Sequence, residues 1–133
     1  MRVRLLSRRL SRIYDAALRP HGITVAQLNL LTLIQSVGRA PSGRIADLLS
    51  MEISTLSRNA RIMEKEGWLT IEHAERGNGR LLGLTPAGAA KLEECLPAWE
   101  HAQDVAKDLL GAAGTGDLKR LGDELWSRQP IEP

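Results

Sequence analysis

Apolar residues recur along this chain with two distinct periods. Between Val3 and Leu18, the residues Leu6, Leu10, Ile13, Ala17 and Leu18 stand at spacings of 4, 3, 4 and 1, which makes one stripe on a helix. Arg8, Arg9, Arg12 and Arg19 fall mostly off that stripe. Pro20-His21-Gly22 ends the segment, because proline cannot continue a helix and glycine suits the cap that follows. Thr24, with Gln27 three residues on, predicts a capping box opening a second helix. Leu28, Leu31, Leu33 and Ile34 make that helix apolar over much of its circumference, so it is expected to be central, and Gly38 closes it. A short third helix is predicted from Pro41 or Ser42 to Leu49, with Ile45, Ala46, Leu48 and Leu49 turned inward. A fourth follows Ser50-Met51, runs to Lys65 or Glu66 and takes Gly67 as its C-cap.

From Trp68 to His73 the period changes to two, which predicts a strand. Residues 80–84 predict a second, and the Asn78-Gly79 step in the connecting stretch 74–79 favours a hairpin turn. Thr85-Pro86 then opens a long helix, with proline at a tolerated first-turn position. Its seam of Leu92, Leu96, Trp99, Ala102, Ala106 and Leu109 suggests packing against a partner helix. Pro97 is expected to bend it, and Gly111 to Gly116 read as a flexible joint. A last helix, Asp117 to about Ser127, presents Leu118, Leu121, Leu125 and Trp126. The expected fold class is therefore mainly α with a small β-hairpin wing. Two short helices joined by a tight turn and followed by a hairpin are the plan of a winged helix-turn-helix. Ala46 sits where the two helices would cross closely, Met51 is expected to be buried in the turn, and Leu56 to anchor the second helix. Ser50 stands where the commonest form of the motif has glycine.

Composition narrows the function. The chain has 133 residues, one domain's worth. No apolar run is long enough to span a membrane or to form a secretory signal. The single cysteine, Cys95, fits a reducing cytoplasm. The net charge of +2 hides an asymmetry: residues 1–85 carry 13 basic and 7 acidic residues, residues 86–133 carry 5 and 9. Fourteen of the 18 basic residues are arginine, the side chain suited to bidentate phosphate or guanine contacts. A polyanion is thus the expected partner of one part of the molecule.

Projecting the fourth helix at 100° per residue places Ile53, Leu56, Ala60 and Met63 on one side. Ser54, Arg58, Arg61 and Lys65 fall opposite, with Thr55, Ser57 and Asn59 on the flanks. These groups bond to phosphate oxygens and to base edges in a major groove. Arg76 at the hairpin tip is placed to reach a minor groove, where guanidinium meets enhanced negative potential. Arg80 is suited to a phosphate, as are Ser42 and Arg44 at the start of the third helix.

The stretch from Arg9-Leu10-Ser11-Arg12-Ile13-Tyr14-Asp15 to Leu84-Thr85-Pro86-Ala87-Gly88 resembles the MarR family of bacterial transcriptional regulators. The matching pieces are His21-Gly22-Ile23-Thr24, Ile45-Ala46-Asp47-Leu48-Leu49, Thr55-Leu56-Ser57-Arg58-Asn59 and Met63-Glu64-Lys65-Glu66-Gly67-Trp68-Leu69. The resemblance implies a homodimer whose first and last helices intertwine, with a recognition helix in the major groove and a wing in the minor groove. It implies a winged helix-turn-helix over 24–85 and dimerisation helices over 1–20 and 86–133 of a single domain, 1–133. The implied function is a repressor on a pseudo-palindromic double-stranded DNA operator, released by a small aromatic or phenolic ligand. The implied effector site lies among the first, second and fifth helices, where Tyr14 and His21 are candidates by chemistry. Two departures stand out: the wing has one tip arginine where the family often has adjacent ones, and Ala60 replaces a usual leucine.

Catalysis finds no support. His21, His73 and His101 are far apart in sequence and lack metal-ligand spacing, so neither a metal, a cofactor nor a catalytic residue is expected. Cys95, beside Glu93 and Glu94, would have its thiolate disfavoured. The competing function is a winged-helix module that binds a protein and not DNA, and its sign would be an acidic or apolar face on the fourth helix.

Overall fold

Local signals set most of the chain's breaks. In the computed structural model, which describes residues 1–73 and 79–128, α1 spans Arg2–Leu18 and passes through a short 3-10 turn, Arg19–His21, to Gly22 at φ 68°. Helix α2, Val25–Val37, opens with the full capping box: the Gln27 N–H donates to Thr24 Oγ1 at 3.2 Å and the Thr24 N–H to Gln27 Oε1 at 3.1 Å. Asp15 adds a cap from α1, its Oδ1 accepting from the Val25 N–H at 2.7 Å. That bond joins positions ten residues apart, beyond the reach of a local capping rule.

Helix α2 is the centre of the core. Leu28, Leu30, Leu31, Leu33 and Ile34 are all buried, as is Gln27. Leu18 from α1, Ile45 from α3 (Ser42–Leu48), Leu56 and Met63 from α4 (Ile53–Lys65) and Cys95 from α5 (Pro86–Ser127) close around it. The absence of phenylalanine leaves an aliphatic interior, in which each fully buried Leu or Ile contributes roughly 1.5–3 kcal/mol.

Among the described residues the sheet has three strands and not two. β2 (Leu69–His73) and β3 (Arg80–Leu84) pair antiparallel, Leu69 opposite Leu84 and His73 opposite Arg80. The added strand, β1, is Ala40–Pro41, which pairs with Leu82 and Leu81 and leaves β3 central. Two residues carry no period to read, and proline fits an edge because its missing N–H is not needed there. Trp68 precedes β2 because it belongs to the helix cap. The hairpin turn expected over 74–79 lies almost wholly outside the described residues.

Other expectations change in three dimensions. The six-residue joint shrinks to one residue: Gly111, at φ 71° and ψ 172°, is the single non-helical position in α5, so residues 86–110 and 112–127 form two arms. Backbone angles stay helical through Pro97; glycine breaks the helix and proline does not. Ile53 is half exposed, not inward, since it lies in the first turn of α4, ahead of the region packed on the core. Met51 is half-buried rather than buried. On α5, Leu96 and Leu109 are exposed while Cys95, Ala102 and Ala106 are buried.

Candidate nucleic-acid interface

The surface of interest is built from the turn outward. Helix α3 ends with the Leu49 N–H donating to Ile45 O at 3.0 Å, and the turn closes with the Met51 N–H on Ala46 O at 2.9 Å. Between them Ser50 adopts φ 49°, a left-handed conformation that normally favours glycine. The small Ala46, buried at 4% exposure, lets α3 and α4 pack closely. Leu56, Ala60 and Met63 fix the inner side of α4 in the core.

With that side fixed, helical geometry turns the opposite one outward. Ser54, Arg58, Arg61 and Lys65 are exposed, and Thr55, Ser57 and Asn59 are half-buried along the flanks. Among the described residues none of Arg58, Arg61 and Lys65 forms an ion pair, so their charge faces solvent. The exposed Ile62 also lies on this helix; the projection that picked out the polar face left it aside. Arg44 and Ser42 are half-buried in the first turn of α3, and Arg80 is half-buried at the start of β3. Arg76 lies outside the described residues.

The far end of α4 is held firmly. The Gly67 N–H donates to Glu64 O at 3.0 Å and the Trp68 N–H to Met63 O at 2.9 Å, the two bonds of a Schellman cap, with Gly67 at φ 81°. Thr85 then staples this cap to α5. Its Oγ1 donates to Gly67 O at 2.5 Å and accepts from the Gly88 N–H at 3.0 Å, while its own N–H donates to Trp68 O at 3.1 Å. A Cβ on Gly88 would collide with Trp68 O and lie 2.7 Å from Leu84 Cδ1. Lys91 Nζ sits 5.2 Å from the Trp68 ring centre and 3.1 Å from Glu94, whose other oxygen lies 2.9 Å from His21 Nδ1. The end of α4 is thus tied through α5 to the end of α1.

His21 and Tyr14 therefore belong to different places. His21 serves this tie, whereas Tyr14 lines a cavity of about 670 Å³ between α1 and the two arms of α5. There its ring stands 6.4 Å from that of Trp99, and burial raises its pKa. Thr115 lines the same cavity, and its hydroxyl is buried without a hydrogen-bond partner among the described residues. A smaller cavity of about 360 Å³ lies between α2 and α5, beside Asn29, Thr32 and Cys95. Burial comes first in raising the Cys95 pKa, with Glu94 adding to it and Lys91 opposing; the sequence pointed to the neighbouring carboxylates instead. Among the described residues no group of His, Cys, Asp and Glu could hold a metal ion, and no helix is long and apolar enough to cross a membrane.

The family model described as the MarR family matches residues 23–76. The winged-helix segment of this chain is similar to that family. Solved structures extend the likeness beyond the matched segment. A Mycobacterium tuberculosis transcriptional regulator, MOSR, in complex with DNA is 26% identical at a TM-score of 0.76, over 96% of this chain and 95% of that one. A mutant E. coli MarR complexed with operator DNA is 22% identical at a TM-score of 0.79, over 92% of this chain and 89% of that one. Bordetella bronchiseptica BpsR, whose DNA binding is regulated by 6-hydroxynicotinic acid, is 19% identical at a TM-score of 0.80, over 92% and 94%. No curated protein matches the chain. The MarR fold thus runs through the long α5 as well as the winged helix.

Proposed function

We propose that this protein is a transcriptional regulator, and not an enzyme, that binds a specific double-stranded DNA operator as a homodimer in the cytoplasm and represses the genes beneath it. The observation that carries the reading is the outer side of α4, where Ser54, Arg58, Arg61 and Lys65 face solvent on a helix whose inner side is locked in the core. Residues 24–85 serve as the DNA-binding part. In it α4 enters the major groove, and Thr55, Ser57 and Asn59 share the work of base and phosphate contact. Ser42, Arg44 and Arg80 hold phosphates, and Arg76 reaches the minor groove. Residues 1–20 and 86–133 supply the dimer, supported by the exposed Leu118, Leu121, Leu125 and Trp126 of the second arm. Two-fold symmetry then calls for a pseudo-palindrome with half-sites about 34 Å apart. A small aromatic or phenolic effector fits beside Tyr14 and Trp99, and a change at that cavity would alter the relative positions of α1 and α5, on which α4 is stapled.

The test is an anisotropy titration on the protein's own upstream promoter region. Arg58→Ala should weaken specific binding by about 1–3 kcal/mol if its guanidinium reads a base edge, with little change on unrelated duplex. Equal losses on both duplexes would reassign Arg58 to the phosphates. Failure of the wild type to prefer any segment of that region would refute the reading.

A further inference from the structure

Helix α4 exposes two large apolar side chains, Ile53 and Ile62, each at 50%, while its Leu56 and Met63 are fully buried. The two isoleucines lie on different sides. At 100° per residue Ile53 stands only about 20° from Ala60, on the side held in the core, and about 140° from Arg58. It lines a hollow with Asp47 and Glu52, whose carboxylates repel phosphate. Ile62 stands about 40° from Arg58 and about 60° from Lys65, on the outer side. Arg58 and Asn59 lie one turn before it, Lys65 and the cap residue Glu66 one turn after, and Glu64 points about 160° away. Arg58 and Lys65 are exposed, and among the described residues neither forms an ion pair. An isoleucine is thus set among free cations and an amide.

We infer that Ile62 is a specificity residue that reads the methyl group of thymine in the major groove of each half-site. The inference rests on the proposed operator binding by α4 and deepens it by naming a base. The hydroxyls, amide and cations of that side can bond to base edges or phosphates, whereas an apolar side chain can do neither. The thymine methyl is the apolar feature that the major groove presents, and it helps to separate A·T from G·C pairs. A protein partner would call for an apolar centre of several residues, but among the described residues no other large apolar side chain is exposed on this side of α4. Helix α4 also lies outside the segments assigned to the dimer, so pairing of two copies leaves Ile62 open. Ile62 follows Arg58 by one turn, about 6 Å along the axis, or about two base-pair steps of the duplex. The thymine should therefore stand about two pairs from the position of Arg58.

The test is a double-mutant cycle read by anisotropy, on the segment of the protein's own upstream promoter region that the wild type binds best. Deoxyuridine at chosen thymines removes the methyl and leaves base pairing intact. Loss of one buried methyl contact changes affinity about fourfold, so deoxyuridine at the symmetric pair of thymines should weaken the wild type about 15-fold. Ile62→Ala should change by less than about twofold on the same substitution. Ile53→Ala, equally exposed but turned aside, should keep the wild-type response. All three proteins should bind an unrelated duplex alike, because no methyl is read there. A wild type that prefers the operator yet ignores deoxyuridine at every thymine overturns the inference and leaves the regulator reading standing. So does an Ile62→Ala protein as sensitive as the wild type, or one that loses as much affinity on the unrelated duplex. Loss of the response in Ile53→Ala would overturn it by moving the contact to the first turn. A wild type with no preferred segment refutes the regulator reading itself and the inference with it.

Discussion

Replacing Ser50 with glycine should stabilise the protein. Ser50 is the described non-glycine residue with positive φ, at 49°, where Cβ crowding costs an L-residue roughly 1–2 kcal/mol. The geometry is imposed by its neighbours: the Ser50 N–H reaches Asp47 O at 3.1 Å and the Met51 N–H reaches Ala46 O at 2.9 Å. Its side chain is exposed, so little contact is lost with it. Glycine removes the crowding but gives back roughly 0.5–1 kcal/mol through the freer unfolded chain. The net gain should be about 0.5–1 kcal/mol, a rise in Tm of roughly 2–5 °C for a chain of this length. Urea melts at one fixed protein concentration are the assay, because assembly shifts the midpoint and an unchanged m-value certifies a true stability change. Ser50→Ala keeps Cβ and should stay within about 0.5 kcal/mol of wild type. Ser50→Val, a β-branched residue in that region, should lose more than about 1 kcal/mol. A lower midpoint for the glycine variant, or alanine gaining as much as glycine, would refute the reasoning.

Two further outcomes follow from the staple between α4 and α5. Gly88→Ala places a methyl against Trp68 O and Leu84, and because a backbone carbonyl cannot swing aside it should cost about 1–3 kcal/mol in urea unfolding; a neutral result would mean that α5 slides freely over the cap. The Glu94 carboxyl is held below its ordinary pKa, first by its hydrogen bond with His21 and then by Lys91. A pKa depressed on folding gives stability that is present above the unfolded value and is lost as pH falls through the folded one. Acidification through the carboxylate range should therefore destabilise the wild type more steeply than Glu94→Gln, and superimposable acid titrations of the two would remove Glu94 from the tie.

Much of this protein was legible locally. The capping box of Thr24 and Gln27, the glycine cap at Gly67, the period-two strands and the buried side of α4 are each set by residues within a turn or two of one another. Short-range hydrogen bonds and side-chain periodicity dictate such features whatever surrounds them. The outer face of α4 was readable for the same reason: once Leu56, Ala60 and Met63 seek the core, their helix leaves Ser54, Arg58 and Arg61 no other direction. What the tertiary structure alone decided are relations between distant parts of the chain. The pairing of Ala40–Pro41 with β3, the Asp15 cap on Val25, the bond between His21 and Glu94 and the staple of Thr85 on Gly67 join residues 10 to 73 positions apart. Contacts of that kind leave no period in the sequence, because they depend on where whole helices come to rest, which is settled by packing the aliphatic core as a unit.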